Sequence, residues 1–256
     1  MKQILKLDSG SIHWMQKGQG ENLLYLHAEA DVGIWTETME QLSQSYRVMM
    51  PQHPGFGESP RLDWIETMED MVFYYKDFLD AMNIESVHLM GASLGGWIAA
   101  EFAVRYPERV KSLILVSALG LQVKGQPYAD VFILNEKELN ALQYHNAEHI
   151  PDFSDEQLAS RMKDRRMLAQ LVWHPRMFNP KLEERLHRIK APVLIVWGKE
   201  DRIAPLAVGE KYQSLIENAE IKILEECGHV PTMEKPSELA SEVIRFLNQG
   251  KESNIA

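Results

Sequence analysis

The feature that most constrains this chain is a glycine-rich turn built around one serine. Residues 91–95 read Gly-Ala-Ser-Leu-Gly, which matches the spacing G-x-S-x-G. The apolar residues 87–90 precede this turn and a helix-prone run, 94–105, follows it. A strand that turns directly into a helix brings backbone close to the glycines and lifts the serine hydroxyl clear of the sheet. The alternative is an ordinary glycine-rich turn with an incidental serine, and the rest of the chain must decide between the two.

Length and composition set the broad class of the protein. The chain has 256 residues, of which 45% are hydrophobic and 25% charged, which fits one large α/β domain or a core domain with an insertion. The net charge of −10 argues against nucleic-acid binding as the main task. Cys227 is the sole cysteine, so no disulfide can form within the chain, as in a reducing compartment. The sequence shows no signal-like start and no apolar run long enough to span a membrane. We therefore expect a cytoplasmic protein, and leave monomer or homodimer open.

Strand and helix patterns alternate along much of the chain. Apolar, β-prone runs predict strands at residues 4–7, 11–16, 23–26, 46–50, 87–90, 112–116, 193–197 and 221–224. Helical periodicity predicts helices at 34–43, 67–82, 94–106, 208–217 and 237–248. This order predicts an α/β fold with a mostly parallel, eight-stranded sheet that helices cover on both faces. The closely spaced first strands predict an antiparallel start.

One region interrupts this alternation. Residues 121–188 are polar and helix-prone, with helical pieces at 139–145, 155–173 and 181–188, and buried-strand patterning resumes at Val193. We interpret 121–188 as a helical cap, or lid, inserted into a core made of residues 1–120 and 189–256. Because the segment follows a strand end, it is expected to cover the edge of the sheet where ligands bind.

Three polar residues follow three separate predicted strands. Ser93 follows residues 87–90, Asp201 lies in the loop after 193–197, and His229 follows 221–224. A serine hydroxyl needs a base to accept its proton and an acidic residue to orient that base. The order Ser, Asp, His therefore predicts a nucleophile, an orienting acid and a general base. Glu200 is an equally placed alternative to Asp201 on these grounds.

Acyl transfer also needs hydrogen-bond donors for the developing oxyanion. The backbone N–H of Leu94, at the start of its helix, is one candidate. The second is expected in the loop after an early strand, where the residues 26–30 read Leu-His-Ala-Glu-Ala. We assign the backbone N–H of Glu29 to this role.

These features together resemble the α/β-hydrolase superfamily, and the resemblance covers nearly the whole chain. Residues 26–30 resemble its oxyanion loop, residues 51–59 resemble its D-x-x-G-x-G-x-S loop, and residues 227–231 resemble its histidine loop. Ser93, Asp201 and His229 fall on the family's triad positions, which favours Asp201 over Glu200. Two departures stand out: Ala28 and Ala30 replace the usual glycines, and Gln52 replaces an aspartate that is generally structural.

The resemblance implies a capped serine hydrolase of the carboxylesterase type. The expected substrate is a small-molecule ester with a small to medium, largely apolar acyl group, and no cofactor or metal is implied. Meta-cleavage-product hydrolases break carbon–carbon bonds with the same triad. They usually carry a longer oxyanion loop and a tryptophan after the histidine, where this chain has Val230. Carbon–carbon cleavage, perhydrolase or haloperoxidase activity remain alternatives, followed by a non-catalytic ligand-binding protein.

A second motif requires a separate interpretation. Residues 145–149 read His-Asn-Ala-Glu-His, and on a helix two histidines four residues apart can hold a metal ion. No supporting acidic ligand is evident nearby in the sequence. We interpret this segment as a solvated face of the cap.

Overall fold

The computed structural model describes residues 2–253, which form an eight-stranded sheet flanked by helices. The strands are β1 (Lys2–Leu7), β2 (Gly10–Lys17), β3 (Asn22–Leu26), β4 (Arg47–Pro51), β5 (Val87–Ala92), β6 (Val110–Val116), β7 (Val193–Gly198) and β8 (Ala219–Leu224). They lie in the order β1-β2-β4-β3-β5-β6-β7-β8. All eight predicted strands are present, with ends that differ by up to two residues.

The sheet is antiparallel at one edge and parallel elsewhere. Strand β1 pairs antiparallel with β2, and β2 pairs antiparallel with β4. The remaining neighbours, from β4 through β3 to β8, pair in parallel. Every residue of β5 and β7 is buried, as expected for central strands that are covered on both faces. The predicted fold class is therefore confirmed.

Eight α-helices accompany the sheet in the described residues. They are α1 (Glu37–Leu42), α2 (Met68–Ala81), α3 (Leu94–Arg105), α4 (Glu136–Gln143), α5 (Asp155–Val172), α6 (Leu206–Leu215), α7 (Pro231–Glu234) and α8 (Pro236–Ser253). None of these helices is long and apolar enough to cross a membrane.

Alternate residues of the central strands enter two separate hydrophobic cores. In β6, Leu113 and Leu115 pack with residues of α2, α3 and α6, whereas Ile114 and Val116 pack with residues of α1 and α8. This alternation follows from the two-residue period of a strand. The two cores hold the sheet rigid, so the loops at its carboxyl edge start from fixed positions.

Two helix predictions are corrected in part. Helix α1 begins at Glu37 rather than at residue 34, because the Thr36 side chain accepts a hydrogen bond from Met39 N and caps the helix there. Residues 181–188 do not form an α-helix. They contain a 3-10 helix, Glu183–Arg188, in which Ile189 N closes the last turn by donating to Leu186 O at 3.0 Å.

The segment 121–188 lies between β6 and β7 in the chain. Its described elements are α4, α5 and short 3-10 helices, and no strand of the sheet falls within it. The contacts of this segment with the loops around Ser93 are described below.

Candidate active site

Ser93 occupies the turn between β5 and α3 in a strained backbone conformation. Its φ is 51° and its ψ is −114°, values that a residue with a side chain rarely adopts. Hydrogen bonds from Ser93 N to Val116 O (2.9 Å) and from Leu119 N to Ser93 O (3.1 Å) hold the turn. The end of β6 and the loop that follows it therefore hold the backbone N–H and C=O of Ser93.

The glycines of the turn are required because backbone passes too close for a Cβ atom. A Cβ at Gly91 would lie 2.2 Å from Gly95 O, and a Cβ at Gly95 would lie 2.1 Å from Leu26 O. Helix α3 can thus begin directly against β3 and β5. This contact explains why the G-x-S-x-G spacing predicts the local structure so well.

The three predicted polar residues meet at the carboxyl edge of the sheet. His229 Nε2 lies 2.8 Å from Ser93 Oγ, and His229 Nδ1 lies 2.8 Å from Asp201 Oδ2. A carboxylate only accepts hydrogen bonds, so Nδ1 carries the proton and Nε2 is free to accept from the serine hydroxyl. The side chains of His229 and Asp201 are 3% and 0% exposed, which shields this chain of hydrogen bonds from water.

The structure distinguishes Asp201 from its neighbour Glu200. Asp201 Oδ1 accepts from Ile203 N and Ala204 N, both at 2.9 Å, which leaves Oδ2 directed at the histidine. Glu200 Oε2 instead accepts from Cys227 N at 2.9 Å and joins the two loops. Asp201 is therefore the carboxylate that contacts His229.

The loop that follows β3 lies beside Ser93. Ala28, Glu29 and Ala30 line the same cavity as Ser93 and His229. Within the described part of the chain, neither Leu94 N nor Glu29 N donates to a protein acceptor. Two unengaged donors near a serine hydroxyl are what an oxyanion site requires.

The side chain of Asp31 stabilises this loop, in which Ala28 and Ala30 stand at positions where glycine is usual. Its Oδ1 accepts from Ala28 N at 2.8 Å, and its Oδ2 accepts from Tyr25 Oη at 2.5 Å. Burial raises the pKa of Asp31 to about 6. No positive φ occurs at Ala28 or Ala30 among the described residues, so their methyl groups are accommodated without strain.

A buried pair of histidines, which sequence reasoning missed, supports the same loop. His53 N donates to His27 Nε2 at 2.9 Å, so His27 Nδ1 carries the proton and donates to Ala28 O at 2.7 Å. His53 Nε2 donates to His27 O at 2.9 Å and its Nδ1 accepts from Tyr75 Oη. Burial lowers the pKa of His27 to about 4, which keeps this pair neutral. The two histidines are 26 positions apart in the sequence, and no local sequence pattern predicts such a contact.

The cavity beside Ser93 has a mainly apolar lining. Its polar members beside the Ser93–His229 pair are Glu29, Gln143 and Arg165. The apolar lining comes from both the core and the 121–188 segment and comprises Ala28, Ala30, Leu119, Val131, Leu139, Leu168, Met177 and Ile203. A lining of this character suits a small, largely apolar molecule.

The histidine loop is bound to the end of α4. His229 N donates to Gln143 O at 2.7 Å. The buried Glu234 carboxylate accepts from Gly228 N at 2.6 Å and from His145 N at 2.7 Å. These bonds connect the loop that carries His229 to the 121–188 segment.

The H-x-x-E-H segment has a structural place in this connection. Residues 144–146 follow α4 without helical structure, and Ala147–His149 form a 3-10 turn, so the two histidines do not share an α-helical face. No group of three potential metal ligands occurs among the residues that the structure describes.

Known proteins share both the sequence pattern and the fold. The family model described as the alpha/beta hydrolase family matches residues 23–242. A 2-hydroxy-6-oxononadienedioate/2-hydroxy-6-oxononatrienedioate hydrolase of Paraburkholderia phymatum is 29% identical over 276 residues, which cover 97% of this chain and 96% of the relative.

Two solved structures under 25% identical share the fold. The meta-cleavage product hydrolase of Pseudomonas fluorescens IP01 has a TM-score of 0.84 at 22% identity, over 96% of this chain and 97% of its own. The naproxen esterase of Bacillus subtilis has a TM-score of 0.80 at 21% identity, over 96% and 91%. With the family match over most of its length, the chain belongs to the alpha/beta hydrolase family.

Proposed function

We propose that the protein is a serine hydrolase that forms an acyl-enzyme on Ser93. The unbroken hydrogen-bond chain from Ser93 through His229 to Asp201 carries this proposal. His229 Nε2 accepts the serine proton as Oγ attacks a carbonyl carbon, and then delivers it to the leaving group. Asp201 keeps the proton on Nδ1 and stabilises the imidazolium that forms. Water activated by His229 then hydrolyses the acyl-enzyme.

The oxyanion of the tetrahedral intermediate would be bound by Leu94 N–H and Glu29 N–H. Neither group has a protein acceptor in the described residues. Leu94 is the first residue of α3, directly after Ser93, and Glu29 lines the cavity that contains Ser93. Loss of one such donor typically costs about 10²- to 10³-fold in kcat. Asp31 and the His27–His53 pair would hold the Glu29 donor in position.

We place carboxylic esters first among the substrates. The described cavity is mainly apolar, and its single guanidinium, Arg165, is already bound to Leu134 O (2.7 Å) and lies 3.4 Å from Glu136 Oε2. Glu29 adds a carboxyl group to the same lining. A cavity without excess positive charge favours a neutral ester over an anionic dienoate.

Carbon–carbon cleavage is the second candidate. The name of the sequence relative supports carbon–carbon cleavage, whereas the lining of the cavity supports ester hydrolysis. The Paraburkholderia phymatum relative is named as a hydrolase of 2-hydroxy-6-oxo dienedioates. Cleavage of a carbon–carbon bond leaves an electron pair on the departing carbon fragment, and a nearby cation or strong hydrogen-bond donor stabilises that negative charge. Arg165 is the cation in the lining of this cavity, and it would fill this role when a substrate displaces Glu136 from it.

Parallel assays on two substrate types decide between these candidates. Release of p-nitrophenol from p-nitrophenyl butyrate reports ester hydrolysis, and loss of the visible absorbance of a 2-hydroxy-6-oxodienoate reports carbon–carbon cleavage. A higher kcat/KM on the dienoate would reverse our order of candidates. Peracid formation with hydrogen peroxide, measured on the same preparation, tests the perhydrolase alternative.

Ser93→Ala should abolish the hydrolytic activity and fluorophosphonate labelling while the fold persists. Ser117→Ala is a matched control, because Ser117 is also buried and has a φ of 44°, yet lies outside the hydrogen-bond chain. Turnover by the Ser93→Ala variant would refute the nucleophile. Serine labelling of the wild-type protein without turnover of any substrate would favour a ligand-binding protein instead.

The segment 121–188 is proposed to act as a lid, since it supplies Leu139 and Leu168 to the cavity lining. The cytoplasmic location remains a prediction from the sequence.

A further inference from the structure

Two buried polar side chains, Glu29 and Gln143, contact each other in the mainly apolar cavity beside Ser93. Glu29 lies on the loop after β3 and Gln143 lies at the end of α4, and they are 7% and 5% exposed. Gln143 Nε2 donates to Glu29 Oε2 at 3.3 Å. A carboxylate cannot donate, so the amide nitrogen must face Glu29 and the orientation of the amide is settled. Gln143 Oε1 is therefore the acceptor that remains.

Each side chain keeps one acceptor atom that makes no hydrogen bond in the described part of the chain. Glu29 Oε1 and Gln143 Oε1 are buried and have no hydrogen-bond partner within the described residues. Arg161 Nη2, which also lacks a hydrogen-bond partner among the residues that the structure describes, forms an ion pair with Glu29 Oε1 at 4.0 Å, a separation beyond hydrogen-bond distance. A buried acceptor without a donor is unfavourable, so a ligand that brings a donor to these atoms gains affinity.

The surrounding charges indicate which kind of donor fits. Arg161 Nε lies 2.7 Å from Glu136 Oε1, and Arg165 Nη2 lies 3.4 Å from Glu136 Oε2. Two guanidinium groups thus face two carboxyl groups, Glu29 and Glu136. These guanidinium groups already place positive charge beside the carboxyl groups, and the mainly apolar lining of the cavity disfavours burial of a further cation. A neutral hydroxyl is therefore the donor that the site suits.

We infer that Glu29 Oε1 and Gln143 Oε1 form a hydroxyl-binding subsite of the catalytic cavity. The inference rests on the proposed function, because it names the class of ester: one with a hydroxyl group on its acyl or alcohol part, next to an apolar chain. Glu29 and Gln143 act as specificity-determining residues through their side chains. This role is separate from the oxyanion role proposed for the Glu29 backbone.

Binding to the Ser93→Ala protein tests the subsite without turnover. Isothermal titration calorimetry would compare 2-hydroxyethyl butyrate with propyl butyrate, and ethyl 3-hydroxybutyrate with ethyl 3-methylbutyrate. In each pair a hydroxyl replaces a methyl group of similar size. We expect the hydroxylated member of at least one pair to bind about tenfold to a hundredfold more tightly.

Two further substitutions in the Ser93→Ala background assign the preference to its residues. Gln143→Met removes the amide and should bring the two members of that pair to similar affinity. Glu29→Gln keeps the size but removes the charge and should weaken the preference, because an amide oxygen is a poorer acceptor than a carboxylate. Gln122→Met makes the same chemical change at an exposed position and should leave the preference intact.

Equal binding within both pairs would overturn the inference, as would a preference that survives both Gln143→Met and Glu29→Gln. The proposed function fails separately. If hydroxylated esters bind preferentially but the protein with Ser93 intact turns over no ester, the subsite stands and the hydrolytic role is refuted.

Discussion

Replacing Asp201 by asparagine should inactivate the enzyme by reversing one hydrogen bond. Asp201 Oδ1 accepts from Ile203 N and Ala204 N, so asparagine must keep its oxygen there. Its NH₂ group then faces His229 Nδ1, which the native Oδ2 approaches at 2.8 Å. A donor in that place makes Nδ1 an acceptor and moves the ring proton to Nε2, opposite the serine hydroxyl. The base is then blocked while the fold is unchanged.

The expected loss in kcat is about 10⁴-fold, the scale seen when a triad aspartate becomes asparagine. This corresponds to about 5.4 kcal/mol of activation free energy. The assay is steady-state hydrolysis of p-nitrophenyl butyrate, with urea unfolding to verify stability. Glu200→Gln is the matched control, because it alters the adjacent carboxylate, which binds Cys227 N rather than His229. Activity of Asp201→Asn within tenfold of the wild type would refute the proposed role of Asp201.

Three further changes test the backbone and the buried charges. Ser93→Gly should be more stable to urea than Ser93→Ala by about 1 kcal/mol, because glycine accepts the φ of 51°; equal stability would contradict the strain. Gly95→Ala should cost about 3 kcal/mol in the same assay, because its Cβ would meet Leu26 O, whereas Gly125→Ala, with open space around it, should cost about 1 kcal/mol. Burial raises the pKa of Asp164 from 3.8 to about 6, so ionisation opposes folding as pH rises through that range. The free energy of unfolding of Asp164→Asn should therefore rise relative to that of the wild type between pH 4 and pH 6, and above pH 6 the difference should stay constant at no more than about 3 kcal/mol. A difference that does not change with pH would contradict this assignment.

The sheet and the meeting of Ser93, Asp201 and His229 at one edge were predictable because their signals are local. Central strands such as β5 and β7 are buried on both faces, so they appear in the sequence as continuous apolar runs. Ser93 and Asp201 follow such runs, and His229 follows the less buried edge strand β8. Parallel strands bring their carboxyl ends to one edge, so the order of the strands brings the three residues to the same edge of the sheet.

The interior of the site was not predictable in the same way. His53 contacts His27 across 26 residues, and Glu29 meets Gln143 across 114, so neither pair produces a periodic pattern. The sequence indicated a role only for the backbone N–H of Glu29. Its carboxyl group is buried because Gln143 of α4 and Arg161 of α5 pack against it. The 3-10 helix at Glu183–Arg188 has the composition of an α-helix, and only its hydrogen-bond spacing distinguishes it.

The bonds between the histidine loop and the end of α4 have a consequence for engineering. Because Gln143 O accepts from His229 N and Glu234 accepts from both Gly228 N and His145 N, residues 143–145 position the histidine loop although they lie in the segment 121–188. A chimera that exchanges this segment would also replace a support of the loop that carries His229. Crossover points should therefore leave this short stretch in place, so that the rest of the segment can be exchanged while His229 keeps its position.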